Sequence, residues 1–217
     1  MIIDLKTFQK LITEHDEYHL SEKLNNETLL DAVEGMVKYR GAEIPEAQAQ
    51  ILKDLEKRAR EKFSISKNVN WNSLMEFSVK KNVVDAISLY RSGLDSLPDV
   101  FEKLDSLEGL YLGRNNLTEL PRSFERLTKL KRLTLNDNNF SSFPEIITKF
   151  KDLTYLKLSD AGFNHLPKSI GALTSLEWLD LSGNRMEAVP DSIEHLSSLE
   201  FLSLHETNLK TLPETMG

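Results

Sequence analysis

His15 and His19 stand four residues apart in the run HDEYH, a spacing that would put both rings on one face of a helix and suit a divalent metal. The pattern stops short of a zinc-hydrolase site. That chemistry needs a glutamate directly after the first histidine; Asp16 stands there, and Glu17 comes one place later. No third ligand is evident, and paired polar histidines are ordinary on a solvated surface, so no metal and no other cofactor is expected. His165, His195 and His205 share no common spacing. Cysteine is absent, which removes a thiol nucleophile, a disulfide framework and Cys-based zinc binding. Neither of the usual phosphate-cradling glycine loops occurs, and there is no GxSxG elbow for a serine nucleophile. These residue types point away from an enzyme.

The elements that would position any site come from a period. Stretches beginning at Val84, Leu107, Leu130, Leu153, Leu176 and Leu199 line up at a spacing of 23 residues. Each runs apolar-x-x-apolar-x-apolar and then reaches an apolar-Pro pair, with prolines at Pro98, Pro121, Pro144, Pro167, Pro190 and Pro213. Such a register describes a stack of small units, not a domain around one central core. Period-2 alternation in Leu107-x-x-Leu110-x-Leu112 turns Leu110 and Leu112 inward, and Gly109, Tyr111 and Gly113 outward. Asn115, Asn138 and Asn184 recur at the turn, where an amide can satisfy bending backbone. Ser92 and Thr207 could do part of that work; Ala161 cannot, which predicts a looser turn at Ala161-Gly162. After the proline, pairs such as Phe124 with Leu127 and Ile147 with Phe150 leave room for a helical turn or two on the convex side.

The unit LEGLYLGRNNLTELPRSFERLTK from Leu107 to Lys129 and its successors resemble the leucine-rich repeat family, in the 23-residue LPxxIxxLxx version found in Ras-group intracellular repeat proteins and in bacterial and archaeal proteins. The resemblance covers about residues 84–217. It implies an α/β right-handed solenoid of about six repeats with one short parallel strand per unit on the concave side.

In register, the outward positions become columns. One reads Ala86, Gly109, Arg132, Tyr155, Trp178, Phe201; the next reads Ser88, Tyr111, Thr134, Lys157, Asp180, Ser203. A third reads Tyr90, Gly113, Asn136, Ser159, Ser182, His205, and the strand-end position reads Arg91, Arg114, Asp137, Asp160, Gly183, Glu206. The face is basic in its first units and acidic later, with three consecutive aromatics beside the acidic part. Cross-strand stacking alone would account for aromatic neighbours. Trp and Tyr in a shielded concave site also dominate interface energies. The candidate partner-binding residues are therefore Tyr155, Trp178, Phe201, Tyr111, Lys157, Asp180, Asp137, Asp160, Glu206 and His205, with a protein partner that carries a basic segment.

Residues 1–70 follow a helical rule and predict a subdomain of about three helices. Ile2, Ile3, Leu5, Phe8, Leu11 and Ile12 make one stripe; Leu29, Leu30, Val33, Met36 and Val37 make a second, closed by Gly41. A third starts at Pro45 and carries Ile51, Leu52, Leu55 and Ala59 to Phe63. Ser64 to Asn72 reads as a polar linker. Residues 71–83 supply a hairpin strand that leads into the repeats and caps their first open end. The chain closes on LPETMG without a cap, leaving Leu199, Leu202, Leu204 and Leu209 beside an open end where weak homodimerisation is expected.

A net charge of -7 argues against nucleic-acid binding, which depends on phosphate neutralisation. No apolar run nears the roughly 20 residues of a membrane span. No signal peptide is visible, so the cytoplasm is the expected location. Two functional readings follow: a non-catalytic module gripping a protein segment on its concave face, or the targeting arm of a larger enzyme or secreted effector whose catalytic part lies elsewhere. A glycan binder stacking sugars on Tyr155 and Trp178 is a third.

Overall fold

The chain divides into two compact units, Met1–Met36 and Val37–Gly217. A computed structural model describes residues 35–213, which hold nearly all of the second unit. His15, His19 and the first predicted helix lie outside the described residues.

Where a second helical stripe was expected to run through Met36 and Val37 to Gly41, the chain instead makes a hairpin: β1 (Met36–Tyr39) pairs with β2 (Ala42–Pro45). Its turn explains the difference. Arg40 and Gly41 both take positive φ, which suits a two-residue hairpin turn and breaks a helix. Helix α1 (Glu46–Ala59) follows directly, starting one residue after Pro45. It buries Ala49, Ile51, Leu52 and Leu55. Gln48, also buried, ties it to the first repeat by donating to the Lys103 carbonyl (2.9 Å) and accepting from the Val84 N–H (2.9 Å).

An eight-stranded sheet then runs the length of the unit. Its order is β10 (Phe201–Ser203), β9 (Trp178–Asp180), β8 (Tyr155–Lys157), β7 (Arg132–Thr134), β6 (Gly109–Tyr111), β5 (Val83–Leu89), β4 (Met75–Lys80) and β3 (Ser64–Ile65). Strands β5 to β10 are parallel and in register at the 23-residue spacing. β4 returns antiparallel to β5 around Lys81-Asn82, both with positive φ. β3 pairs parallel with β4, so the chain between them must cross back over the sheet.

Behind β5 to β9 the chain passes each proline into a short 3-10 turn, for example Arg122–Arg126 and Asp191–His195. The space between is filled by one repeated leucine layer. Leu110, Leu133, Leu156 and Leu179 are wholly buried, as are Leu112, Leu135, Leu158 and Leu181. Burial of each contributes about 2 kcal/mol, before entropy, and each contact is with a neighbouring unit. At the last strand the equivalent Leu199, Leu202 and Leu204 are only partly buried.

The turn asparagines hold the stack together. Asn115 donates to the carbonyls of Leu112 in its own repeat and Leu89 in the preceding one, and accepts from the N–H groups of Ser92 and Leu94. Asn138 repeats the arrangement one unit on, with Leu135, Leu112 and Leu117. The looser turn expected at Ala161-Gly162 is absent. Asn184 of the following repeat accepts from both the Ala161 N–H (3.1 Å) and the Gly162 N–H (3.0 Å), and the Ala161 carbonyl accepts from Phe140 N–H. Gly162 is required there, because its φ is +98° and a Cβ would press on the Phe140 carbonyl oxygen at 2.9 Å. Of the two hydroxyl substitutes, Thr207 donates to the Leu204 carbonyl, whereas the Ser92 hydroxyl faces Met75 Sδ.

Candidate functional site

The parallel pairing converts sequence columns into geometry. Arg132, Tyr155, Trp178 and Phe201 are direct partners across β7 to β10, and Thr134, Lys157, Asp180 and Ser203 form the column beside them. The rings stack: Tyr155 and Trp178 lie 5.8 Å apart at 17°, and Trp178 and Phe201 lie 3.6 Å apart at 12°. Trp178 and Phe201 each remain 38% exposed. Strand spacing of about 4.8 Å dictates that equivalent aromatics must meet face to face. Trp178 and Phe201 overlap face to face and Tyr155 stacks offset on Trp178, so packing on neighbours restricts the rotamers of the stripe.

Around the stripe lies a carboxylate cluster. Asp137, Asp160 and Glu206 are exposed at strand ends and Asp180 is half-buried. The strand-end position has a common backbone state: Arg91, Arg114, Asp137, Asp160, Gly183 and Glu206 all take positive φ between 51° and 70°. That conformation lets the chain turn out of the sheet and costs a residue with a Cβ about a kcal/mol, so five of these six side chains are held there against local preference. Partial burial, and then the neighbouring charges of Asp137, Glu206 and Asp180, push the Asp160 carboxyl above the usual range, with Lys157 opposing. Lys157 reaches Asp180 at 3.6 Å. At the basic end, Arg114 meets Asp137 at 3.6 Å and lies over the Tyr90 ring.

The predicted site residues do not all share one accessible surface. Tyr155, Lys157, Asp160, Trp178, Asp180, Phe201, His205 and Glu206 gather on β8 to β10 and the turns after them, and Asp137 adjoins at the end of β7. Tyr111 is different. Read as exposed, it is only 3% accessible, because Val69 packs on it together with Ala86. Its hydroxyl accepts from Arg132 Nε at 3.0 Å. Tyr111 is therefore a contact within the chain.

What covers Tyr111 is the segment taken as a linker. Between β3 and β4, residues 66–74 fold over the concave columns of β5 and β6 as a strap. Ser88 Oγ donates to the Ser73 carbonyl, and Asx-type bonds within the strap shape it, including Asn72 N–H to Asn70 Oδ1 at 2.9 Å. The strap carries Trp71, 52% exposed, whose ring centroid lies 5.8 Å from Lys157 Nζ. Column arithmetic misses this residue because it lies outside the repeats. A signal was present all the same: Trp71 is one of only two tryptophans in the chain, and it stands in an otherwise polar run.

Among the described residues, no group of three or more His, Asp or Glu side chains is placed to hold a metal. A shallow concavity by the strap is lined largely by Ser64, Ser66, Asn68, Asn70, Asn72 and Ser73 and includes no histidine. No helix among the described residues is long and apolar enough to cross a membrane.

Comparisons with known proteins agree with this architecture. The description "leucine rich repeat" fits residues 82–140, and "leucine-rich repeat region" fits residues 144–217. No curated protein matches the chain. Among solved structures, a TDR receptor is 32% identical with a TM-score of 0.51, over 59% of this chain and 23% of that one. The repeat ectodomain of the receptor kinase SOBIR1 from Arabidopsis thaliana is 20% identical with a TM-score of 0.58, over 78% of this chain and 97% of that one. That of the membrane receptor kinase GASSHO1 from the same plant, solved in complex with CASPARIAN STRIP INTEGRITY FACTOR 2, is 24% identical with a TM-score of 0.52, over 68% and 21%. The chain thus spans under half the length of several of the solved proteins it matches. Proteins built this way commonly use an extended concave surface for protein–protein interaction. With two such descriptions covering nearly all of residues 82–217 and a parallel sheet that repeats in the same register, the chain belongs to the leucine-rich repeat family.

Proposed function

We propose that this protein is a non-catalytic interaction module that holds a partner protein segment on the concave face formed by β7 to β10. The observation that carries the reading is the exposed stack Tyr155–Trp178–Phe201 bordered by Asp137, Asp160, Asp180 and Glu206. Stacking within a sheet needs no carboxylate beside it; a site for an apolar segment with Lys or Arg uses both. His205 and Lys157 lie at its rim and floor. A protein ligand on a related ectodomain, as in the GASSHO1 complex, supports the class of partner. A cytoplasmic setting suits a chain without cysteine.

Alanine at both Tyr155 and Trp178 tests the proposal. Quantitative capture of proteins from an extract of the source cells, wild type against the double variant, should show one or more species lost by roughly 30-fold, given about 2 kcal/mol for a central aromatic. Circular dichroism should stay unchanged. Identical captured sets would sink the reading.

Self-association belongs to the same proposal. Among the described residues β10 is the last strand of the sheet, and half-buried Leu202, Leu204 and Leu209 beside it are apolar surface that a second copy would cover. Sedimentation should show a weak dimer that a charge at Leu202 removes; a monomer up to millimolar concentration would contradict it.

A further inference from the structure

Lys157 has an unusual pair of neighbours. Its ammonium is 3.6 Å from the Asp180 carboxylate and 5.8 Å from the centre of the Trp71 ring, which the strap holds above it. Three separate parts of the chain meet there: the strap, β8 and β9. The strap is anchored below by Val69, 8% exposed on Tyr111 and Ala86, and by the Ser88–Ser73 bond, so Trp71 is presented from a fixed base. Yet its own ring is half open to solvent. Its base is thus fixed while its ring can still meet a further group. A cation over its face, backed by a carboxylate, is the arrangement that binds ammonium or guanidinium groups strongly.

We infer that Trp71 is the second wall of the partner site and that Lys157 is an internal stand-in for a Lys or Arg side chain of the partner, which takes its place between Trp71 and Asp180. This inference rests on the reading of the concave face as a partner site, and it adds a subsite with a stated ligand, a primary ammonium or guanidinium. The geometry also limits the occupant's length. The strap closes the columns of β5 and β6, and Thr134 on β7 is wholly buried too, leaving β8 to β10 open, two strand intervals or about 10 Å. An extended segment running across them contributes about three residues. The cation enters at Trp71 and an apolar or aromatic neighbour lies along Trp178 and Phe201.

The consequence is counterintuitive. Removing a positive charge from the site should improve binding of a positive ligand, because Lys157 competes for the same carboxylate and the same ring. A purely structural Lys157 would weaken binding when lost, or leave it alone.

Random twelve-residue peptides displayed on phage are selected on the full chain. The enriched sequences are then synthesised and titrated by the intrinsic fluorescence of Trp71 and Trp178, the two tryptophans of the chain. The expected peptides carry Arg or Lys next to an apolar residue. They bind about threefold to thirtyfold more weakly to Trp71→Ala and several-fold more tightly to Lys157→Met, followed by anisotropy of a labelled peptide where a tryptophan is removed. Peptides that lose affinity for Trp178→Ala but respond to neither Trp71→Ala nor Lys157→Met overturn this inference and leave the concave-face reading intact. Selected peptides indifferent to Trp178→Ala, or no enrichment at all, overturn both. Circular dichroism of each variant matching wild type excludes unfolding as the cause.

Discussion

Asn184→Ala should destabilise the protein by about 3–4 kcal/mol, far beyond what an asparagine on a solvated turn would cost. Asn184 is 1% exposed. Its Nδ2 donates to the carbonyls of Leu158 (2.7 Å) and Leu181 (2.9 Å), and its Oδ1 accepts from Ala161 and Gly162. Alanine removes these four bonds and a longer one to the Ser182 carbonyl (3.3 Å). Gly162 is exposed, so water replaces its partner, but Ala161, Leu158 and Leu181 are wholly buried. Three buried groups left unpaired, at about 1–3 kcal/mol each, set the range; partial relaxation and the milder cost of a carbonyl pull it to the lower half. Because position 161 carries alanine where neighbouring repeats carry asparagine, no second amide stands by. Urea unfolding followed by circular dichroism should lower the midpoint by 1 M or more, at a slope of about 2 kcal/mol/M. Repeat arrays can unfold piecewise, so amide exchange supplies the local reading: Ala161 should exchange far faster while Leu133 and Leu110, two and three repeats before Asn184, change little. A loss under about 1 kcal/mol, or protection unchanged at Ala161, would refute the idea that this amide bridges the two repeats.

The remaining expectations concern the concave face. Gly183→Ala should cost about 1 kcal/mol in the same unfolding assay, because the position has φ +70° and a Cβ there makes the Asp160 side chain swing aside; a neutral outcome would show that the turn has slack. Asp160 has a folded pKa above its unfolded one, so folding gains stability as pH falls through the folded value and is disfavoured at neutral pH; Asp160→Asn should therefore raise the neutral-pH midpoint and flatten its acid dependence, and a lowered midpoint would contradict this. For a cationic peptide the sign reverses, since protonating Asp160 removes attraction: affinity should decline on acidification earlier than an ordinary aspartate predicts, and Asp160→Asn should remove that early portion. Val69→Asp should release the strap, with rapid proteolysis between residues 66 and 74 while the sheet's circular dichroism persists; resistance equal to wild type would mean Val69 is not the anchor.

Much of this face could be read from residues alone. Each unit contacts chiefly its neighbours, so a position in the 23-residue register is also a place on a column, and Tyr155, Trp178 and Phe201 meet as the register requires. The inward leucines follow from period-2 alternation in the same way. Reading broke down where contacts are not periodic. Met36 and Val37 fit a helical stripe, but the left-handed pair Arg40-Gly41 turns the chain back as a hairpin. Ala161 looked unsupported because its support comes from Asn184, 23 residues later in the chain. Apart from the rare Trp71, nothing in the composition of residues 64–72, mostly Ser, Asn and Lys, shows that this segment folds over the sheet.

The period, the core leucines and the order of the aromatic and acidic columns are properties of the sequence by itself. A one-dimensional stack turns each interval along the chain into a fixed displacement in space, so little else is needed to place them. The accessible part of the face was decided by tertiary structure. β3 joins the sheet parallel to β4, which obliges the intervening chain to cross over the sheet, and hydrophobic burial of Val69 on Tyr111 and Ala86 puts that crossing on the concave side. That single long-range closure removes Tyr111 from the surface, brings Trp71 to Lys157, and leaves β8 through β10 as the open strands.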